Sequence, residues 1–169
     1  MCGLSTLKKA FDNVVRKALL HKLLKKGIGG KFFALIRNMC SNTIYSCKFG
    51  NSHIDLFSAN LGVMQGDSLN PTLFNIFVDD IGSCFNNLPE MEPVNLGTHK
   101  FNHLLYADDL ILTSEKPSGL QHCLNALEVY CEEWGLNINT KKTQILIFSK
   151  IKWRLQMNWT STSLSKIVC

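Results

Sequence analysis

The sequence predicts an α+β fold in which antiparallel strands are covered by helices on one side. Three observations carry that expectation. Apolar residues recur at helical spacing in several segments, short Leu- and Ile-rich runs of strand length lie between them, and Gly, Pro and Asn mark the boundaries. The 169-residue chain is 46% apolar and 18% charged, which suits one globular core and excludes an extended disordered polymer.

In residues 13–26, Val15, Leu19, Leu20, Leu23 and Leu24 follow helical spacing. Arg16, Lys17, Lys22, Lys25 and Lys26 hold the opposite face, and Gly27 is a natural stop. A second helix over residues 30–42 places Phe32, Phe33, Leu35, Ile36 and Met39 inward. Residues 43–49 and 54–59, separated by Gly50-Asn51-Ser52, predict a β-hairpin. Pro71 suits a helix start, and residues 72–86 offer Leu73, Phe74, Ile76, Phe77 and Ile81 to a broad apolar face. Residues 86–100, with Pro89, Pro93 and Gly97, are expected to form a loop. Residues 101–113 are rich in Leu and Ile around two aspartates, which predicts two short strands joined there. Leu120, Leu124, Leu127, Cys131 and Trp134 make a helical stripe that ends at Gly135, and residues 143–149 read as a strand. Residues 150–169 mix Trp, Ser, Thr and Lys without period and are expected to be a poorly specified tail.

Composition removes several classes of function. Eighteen Lys and Arg against thirteen Asp and Glu leave a net charge of +5, which favours some attraction to phosphate without proving specificity. The seven scattered cysteines contain no C-x-x-C pair, so zinc ribbons and disulfide scaffolds are excluded. No apolar run approaches the roughly 18 to 20 residues of a membrane span, and the first ten residues lack the apolar core of a secretory signal. A cytoplasmic or nuclear protein, not a secreted one, is expected. Walker, nucleophile-elbow and dinucleotide-binding motifs are missing as well.

Chemistry concentrates at Tyr106-Ala107-Asp108-Asp109, between Leu104-Leu105 and Leu110-Ile111-Leu112. Adjacent carboxylates inside an apolar hairpin are costly unless a cation or a set of donors compensates them. Two hard oxygen ligands at a strand turn suit Mg²⁺, which takes one or two protein carboxylates and fills its shell with water and phosphate oxygens. A solvated Asp-Asp turn is the other reading of the same tetrapeptide.

Four blocks, in order, resemble the palm of reverse transcriptases from non-LTR (LINE-type) retrotransposons. Leu7-Lys8-Lys9-Ala10-Phe11-Asp12 is similar to the end of the first palm motif. The run from Gly62-Val63-Met64-Gln65-Gly66-Asp67 through Pro71-Thr72-Leu73-Phe74-Asn75 is similar to the second. Tyr106-Ala107-Asp108-Asp109 stands as the third, and Trp134-Gly135-Leu136-Asn137, Asn139, Lys141-Lys142-Thr143 and Phe148 as the fourth. The resemblance spans residues 3–149. It implies a polymerase palm-like antiparallel sheet with helices on one side and partial fingers, and a two-metal RNA-directed DNA polymerase whose ions, Mg²⁺ or Mn²⁺, stand about 3.5 to 4 Å apart. RNA template, DNA primer and deoxynucleoside triphosphates are the implied partners. By the same resemblance Asp108 and Asp109 are the catalytic metal ligands, with Asp108 contacting both ions. Phe11 packs under the nucleotide sugar, Gln65 and Gly66 form the template- and nucleotide-contacting turn, and Lys142 stands near the triphosphate.

One position departs from the family pattern, D-x-x-x-A-[FY]. Four residues before Ala10 the chain has Thr6, so the first-motif aspartate is missing. A neutral hydroxyl is a poor replacement for a carboxylate that bridges two divalent cations. Thr6 is nevertheless expected on a strand beside the Asp108 hairpin, with its side chain facing the carboxylates. The matching region begins close to Met1 and fades after Ser149. The expected organisation is therefore a truncated palm with part of the fingers over residues 1–149, no thumb, and the tail over 150–169. The predicted function is that of an RNA-directed DNA polymerase by descent, catalytically inactive in this chain. The alternatives are a non-catalytic nucleic-acid-binding module and a non-functional retrotransposon remnant.

Overall fold

A computed structural model describes residues 2–41, 43–46, 48–50, 52–53, 57–86, 88 and 92–148. The expected tail over 150–169 lies outside them. In chain order the elements are β1 (Cys2–Thr6), α1 (Arg16–Lys25), α2 (Gly30–Ser41), β2 (Ile44–Tyr45), β3 (Lys48–Phe49), β4 (Ser52–His53), β5 (Phe57–Ser58) and α3 (Asn70–Val78). A 3₁₀ segment, Asp79–Cys84, is followed by β6 (Val94–Leu96), β7 (His99–Phe101), β8 (His103–Tyr106), β9 (Asp109–Thr113), α4 (Pro117–Trp134) and β10 (Gln144–Leu146). The chain divides into two compact units, Phe11–Val78 and the remainder, Met1–Ala10 with Asp79–Cys169.

The sheet unit contains four antiparallel strands in the order β10-β1-β9-β8. Strand alternation gives the sheet two unlike faces. Gly3, Ser5, Leu110 and Leu112 are buried on one. There α4 supplies the buried Leu120, Leu124, Leu127 and Cys131, and a Cβ on Gly3 would stand 3.4 Å from the Leu120 side chain. Burying each such Leu contributes roughly 1.5 to 3 kcal/mol. Leu104 and Tyr106 on the other face are exposed. Pro117 opens α4, where its missing N–H costs nothing, and Gly135 closes it with a left-handed backbone at φ 69°.

Two contacts tie the 3₁₀ segment into this unit. The buried Tyr130 hydroxyl donates to Asp80 Oδ1 at 2.7 Å, and burial together with that carboxylate pushes the phenol far above its ordinary pKa. A Cβ on Gly82 would lie 2.7 Å from His103 Nε2, so the imidazole occupies the space that only glycine leaves. The continuous helix expected over 72–86 therefore gives way after Val78 to a 3₁₀ segment. The loop expected over 86–100 also needs correcting, since β6 and β7 pair as a hairpin across Gly97. Pro89 lies outside the described residues, and the short run after Pro93 carries little periodicity.

In the helical unit, α1 contacts α2 and α3. Val14, Leu19, Leu23, Ile36, Leu73, Phe74 and Phe77 are buried. The expected 43–59 hairpin is present as two short antiparallel pairs, β2 with β5 and β3 with β4. Residues 54–56 lie outside the described residues.

Two expectations about helix faces fail here. On α2 only Ile36 is buried, while Phe32, Leu35 and Met39 are exposed. The apolar positions span more of the helix circumference than one neighbour covers. On α1, Arg16 and Lys22 are buried instead of solvated, and Leu24 is exposed. The two cations are buried because carbonyls receive them. Arg16 donates to the carbonyls of Gly62, Cys40 and Ala59 at 2.7 to 2.8 Å, and Lys22 Nζ to that of Phe77 at 2.6 Å.

His103 gives the sheet unit a pH-dependent stability. Burial lowers its pKa below the ordinary value of 6.5. Between the folded value and 6.5 the unfolded chain binds more protons, so stability rises with pH across that window and is lost as pH falls through the folded value. Urea unfolding between about pH 7 and pH 5 should therefore show a downward slope that His103→Gln reduces. An identical slope in parent and variant would remove this assignment.

Candidate functional site

The paired aspartates sit at a tight turn of the sheet unit. Tyr106 pairs with Asp109 across β8 and β9, which leaves Ala107 and Asp108 as a two-residue loop. Such loops need a positive φ, and here Ala107 adopts it at 50°. For a residue with a Cβ the left-handed conformation costs roughly 1 to 2 kcal/mol. The neighbouring strand holds the loop in place, because the Leu7 amide donates to the Asp108 carbonyl at 2.8 Å.

Thr6 is the residue of β1 that pairs with Asp109. Directly opposed residues share a face of the sheet. The Thr6 hydroxyl donates to Asp109 Oδ1 at 2.8 Å, so its side chain does face the carboxylate. Asp109 is exposed and Asp108 half-buried. One hydroxyl hydrogen bond and access to water thus meet the cost of placing two carboxylates side by side.

On the other side of β1 the segment after α4 is stitched to the same strand end. The Lys8 amide donates to the Asn137 carbonyl at 2.7 Å and the Asn139 amide to the Thr6 carbonyl at 2.8 Å. Thr143 Oγ1 donates to the Asn139 carbonyl at 3.0 Å and lies 3.3 Å from Ser5 Oγ. Lys142 follows in an exposed turn whose amide donates to the Asn139 carbonyl at 3.0 Å. Thr6 therefore has the Asp109 carboxylate on one side and the lysine-bearing turn on the other. No ion pair joins Lys142 to Asp108 or Asp109 among the described residues. Ser5 carried no signal of its own in the sequence, because a serine in a strand is unremarkable until its partner strand is known.

The remaining site residues belong to the helical unit. Phe11 is half-buried and stacks on Phe74, with ring centroids 4.5 Å apart and planes 23° off parallel. Gln65 and Gly66 are exposed in a turn where Gly66 has φ 94°. That turn is anchored upstream. The Gly62 amide donates to the Val14 carbonyl and the Val63 amide to the Phe11 carbonyl, both at 2.9 Å. Gly62 has φ 83°, and a Cβ there would stand 2.7 Å from the Asp12 carbonyl oxygen. Downstream, the Asn70 side-chain amide donates to the Met64 carbonyl at 2.7 Å.

Among the described residues no group of three or more His, Cys, Asp or Glu side chains is arranged to hold a metal ion. The acidic set at the hairpin is Asp108 with Asp109, and the position that pairs with Asp109 offers a hydroxyl already donating to it. This donor set fits one Mg²⁺ completed by water and phosphate oxygens. It does not fit a pair of ions bridged by carboxylates from two strands. No helix among the described residues is long and apolar enough to cross a membrane.

Comparison with known proteins bears on the family and the fold. The family model described as reverse transcriptase (RNA-dependent DNA polymerase) matches residues 5–164. A Pol polyprotein from the type-1 retrotransposable element R2 of Nasonia vitripennis is 31% identical over 140 residues, covering 83% of this chain and 13% of its own. The RNA-directed DNA polymerase from mobile element jockey of Drosophila melanogaster is 27% identical over 150 residues, covering 85% of this chain and 16% of its own. The chain thus spans about one seventh of the length of these relatives. A telomerase structure from Candida albicans, in complex with a fragment of telomeric RNA, superposes with a TM-score of 0.65 at 17% identity, covering 89% of this chain and 27% of that one. An apo telomerase from Candida tropicalis gives 0.59 at 20% identity, covering 85% and 30%. At these identities the two structures establish the fold alone.

The strained loop residue offers a direct check on the hairpin. Ala107→Gly removes the left-handed penalty while raising the entropy of the unfolded chain, so the balance should stabilise the protein by up to about 1 kcal/mol. A variant less stable than the parent in urea unfolding would mean that the Ala107 methyl group makes a contact outweighing its strain.

Proposed function

Because the chain belongs to the reverse transcriptase family, among those of non-LTR retrotransposons, we propose that it is a nucleic-acid-binding palm that has lost nucleotide transfer. One observation carries the reading. The residue that pairs with Asp109 is Thr6, and its hydroxyl proton is already given to that carboxylate at 2.8 Å. A divalent ion held by Asp108 and Asp109 would polarise phosphate oxygens, and a second ion to activate a primer hydroxyl lacks its bridging carboxylate. Mg²⁺ or Mn²⁺ binding is accordingly weak.

The other assigned residues retain roles in holding polynucleotide. Gly66, without a side chain and at positive φ, lets a template or nucleotide approach the backbone closely, and Gln65 is exposed beside it. Phe11 presents what its stacking on Phe74 leaves free to a sugar. Exposed Lys8, Lys9, Lys17, Lys25, Lys26, Lys141 and Lys142 attract phosphates, whereas Arg16 and Lys22 on α1 are already committed to carbonyls. Binding of this kind is indifferent to base sequence, because phosphate contacts carry no sequence information. RNA template and DNA primer are the partners it fits. A triphosphate would meet Lys142 as a solvated charge.

Primer-extension assays with RNA template and deoxynucleoside triphosphates should give no product, while single-stranded RNA binds with an affinity that falls steeply as salt rises. Each neutralised phosphate contributes about −0.7 to the log-log slope. Robust Mg²⁺-dependent extension, abolished by Asp108→Asn, would overturn the proposed inactivity.

Thr6→Asp tests the same position by addition. The introduced carboxylate should strengthen Mn²⁺ binding and, through repulsion with Asp109, lower stability when metal is absent. The gap in melting temperature with and without Mn²⁺ should therefore be wider in the variant, since ligand bound to the folded state alone stabilises by RT ln(1 + [L]/Kd). Equal gaps in the two proteins would show that the carboxylate at this position does not share a cation with Asp109.

A further inference from the structure

The helical unit contains a cavity of about 70 Å³ that plays no part in the reading above. Its walls are largely apolar, including the buried Ile36 and Leu73, and the half-exposed Met39 and Met64 line it as well. Two charged groups reach it, Arg16 and Asp67.

Arg16 is 8% exposed and carries five N–H donors in a fixed plane. Three bonds occupy Nε and Nη1. Nε donates to the Gly62 carbonyl at 2.8 Å, and Nη1 to those of Cys40 and Ala59 at 2.7 Å each. The two N–H groups of Nη2 have no acceptor among the described residues. No fully enclosed side-chain nitrogen or oxygen among those residues lacks a partner, so Nη2 is within reach of solvent. Asp67 is similarly underused. Its Oδ1 accepts the Leu69 amide at 3.1 Å, while Oδ2 meets only the Asn70 side chain at 3.5 Å. Arg16 and Asp67 do not pair with each other.

We propose that this cavity binds a small neutral amide, whose carbonyl oxygen accepts from Arg16 Nη2 and whose N–H donates to Asp67. An anion would be repelled by the Asp67 carboxylate and a cation by the Arg16 guanidinium, whereas a neutral amide carries both an acceptor and a donor. The volume admits a group of about five non-hydrogen atoms, the space of a few waters. Methionine suits such a mouth, because its flexible thioether adapts to whatever enters. Gly62 and Met64 line the cavity too, so its occupant bears on the chain that leads into the Gln65-Gly66 turn.

Cys40 lines the same cavity and reports on it. Burial raises its thiol pKa and the Arg16 guanidinium offsets part of that rise. Iodoacetamide is itself a small primary amide. Sγ displaces iodide from its methylene carbon as the S–C bond forms, the C–I bond breaks and the thiol proton passes to buffer. Labelling of Cys40 in the full chain, followed by peptide mass spectrometry, should saturate with iodoacetamide and be slowed by propionamide. Labelling by iodoacetate should not saturate, and half-exposed Cys2 should react with linear concentration dependence. Asp67→Ala should weaken protection by propionamide about tenfold, the scale of a lost hydrogen bond to a charged group. Arg16→Lys, which keeps the charge and loses Nη2, should weaken it as well. Should Arg16→Lys not fold, Asp67→Ala and the methyl NMR shifts of Met39 and Met64 on adding propionamide decide the question in its place. Linear labelling of Cys40, no protection by propionamide, better protection by propionate, or equal protection in Asp67→Ala would each overturn the proposal. The first two outcomes would leave a cavity that holds water alone.

Discussion

The antiparallel pairing of β1 with β9 is the constraint on which the sheet unit depends. It aligns Ser5 with Leu110 and Thr6 with Asp109. The alternation of a strand then places Gly3, Ser5, Leu110 and Leu112 under α4, and Thr6 and Asp109 on the opposite face. A slip of one residue would exchange the faces, sending a carboxylate under the helix and two leucines to solvent. At roughly 1.5 to 3 kcal/mol for each exposed leucine, plus the cost of an unpaired buried charge, such a slip is excluded by energy alone. The register that protects the core also presents the aspartate.

Electrostatics at the hairpin follow from what stands across from that aspartate. A carboxylate there would repel Asp109 and call for a cation between them, whereas a hydroxyl supplies a proton to it directly. One residue therefore sets whether the Asp109 carboxylate faces a like charge or a hydrogen-bond donor. Desolvation remains small because Asp109 is exposed. The same residue joins the acidic hairpin to the segment bearing Lys141 and Lys142, its hydroxyl donating to Asp109 and its carbonyl accepting from the Asn139 amide.

The helical unit solves a different electrostatic problem. It buries two cations, Arg16 and Lys22, without using a carboxylate as the bonded partner of Arg16. Peptide carbonyls are strong acceptors, and a guanidinium that gathers three of them ties together the segments they come from. Here those are the end of α2, the stretch after β5 and the start of the Gln65-Gly66 turn. Lys22, with its Nζ 5.0 Å from the Phe77 ring centre, is held by both a carbonyl and an aromatic face. Loss of Arg16 would therefore act on the turn through the backbone.

Much of this was legible in the sequence. Helical spacing in residues 13–26 and 120–134, the stop at Gly135, the start at Pro71 and the paired strands around Asp108-Asp109 follow from local periodicity and turn chemistry, which a chain carries residue by residue. The four motif blocks likewise single out Thr6, Asp108, Asp109, Phe11, Gln65, Gly66 and Lys142 as site candidates. Tertiary structure alone decided what local pattern cannot encode. Arg16 and Lys22 look like members of a solvated basic face until carbonyls from distant segments meet them. Phe32, Leu35 and Met39 look like core until α2 turns only Ile36 inward. The end of α3 at Val78 depends on nothing periodic, and Gly82 owes its place to an imidazole twenty-one residues away. Above all, the motif spacing marked Thr6 as a missing aspartate, but only strand register could give its hydroxyl to Asp109. Hydrogen-bond partners remote in sequence are chosen by packing, and packing is settled only when the whole unit has folded.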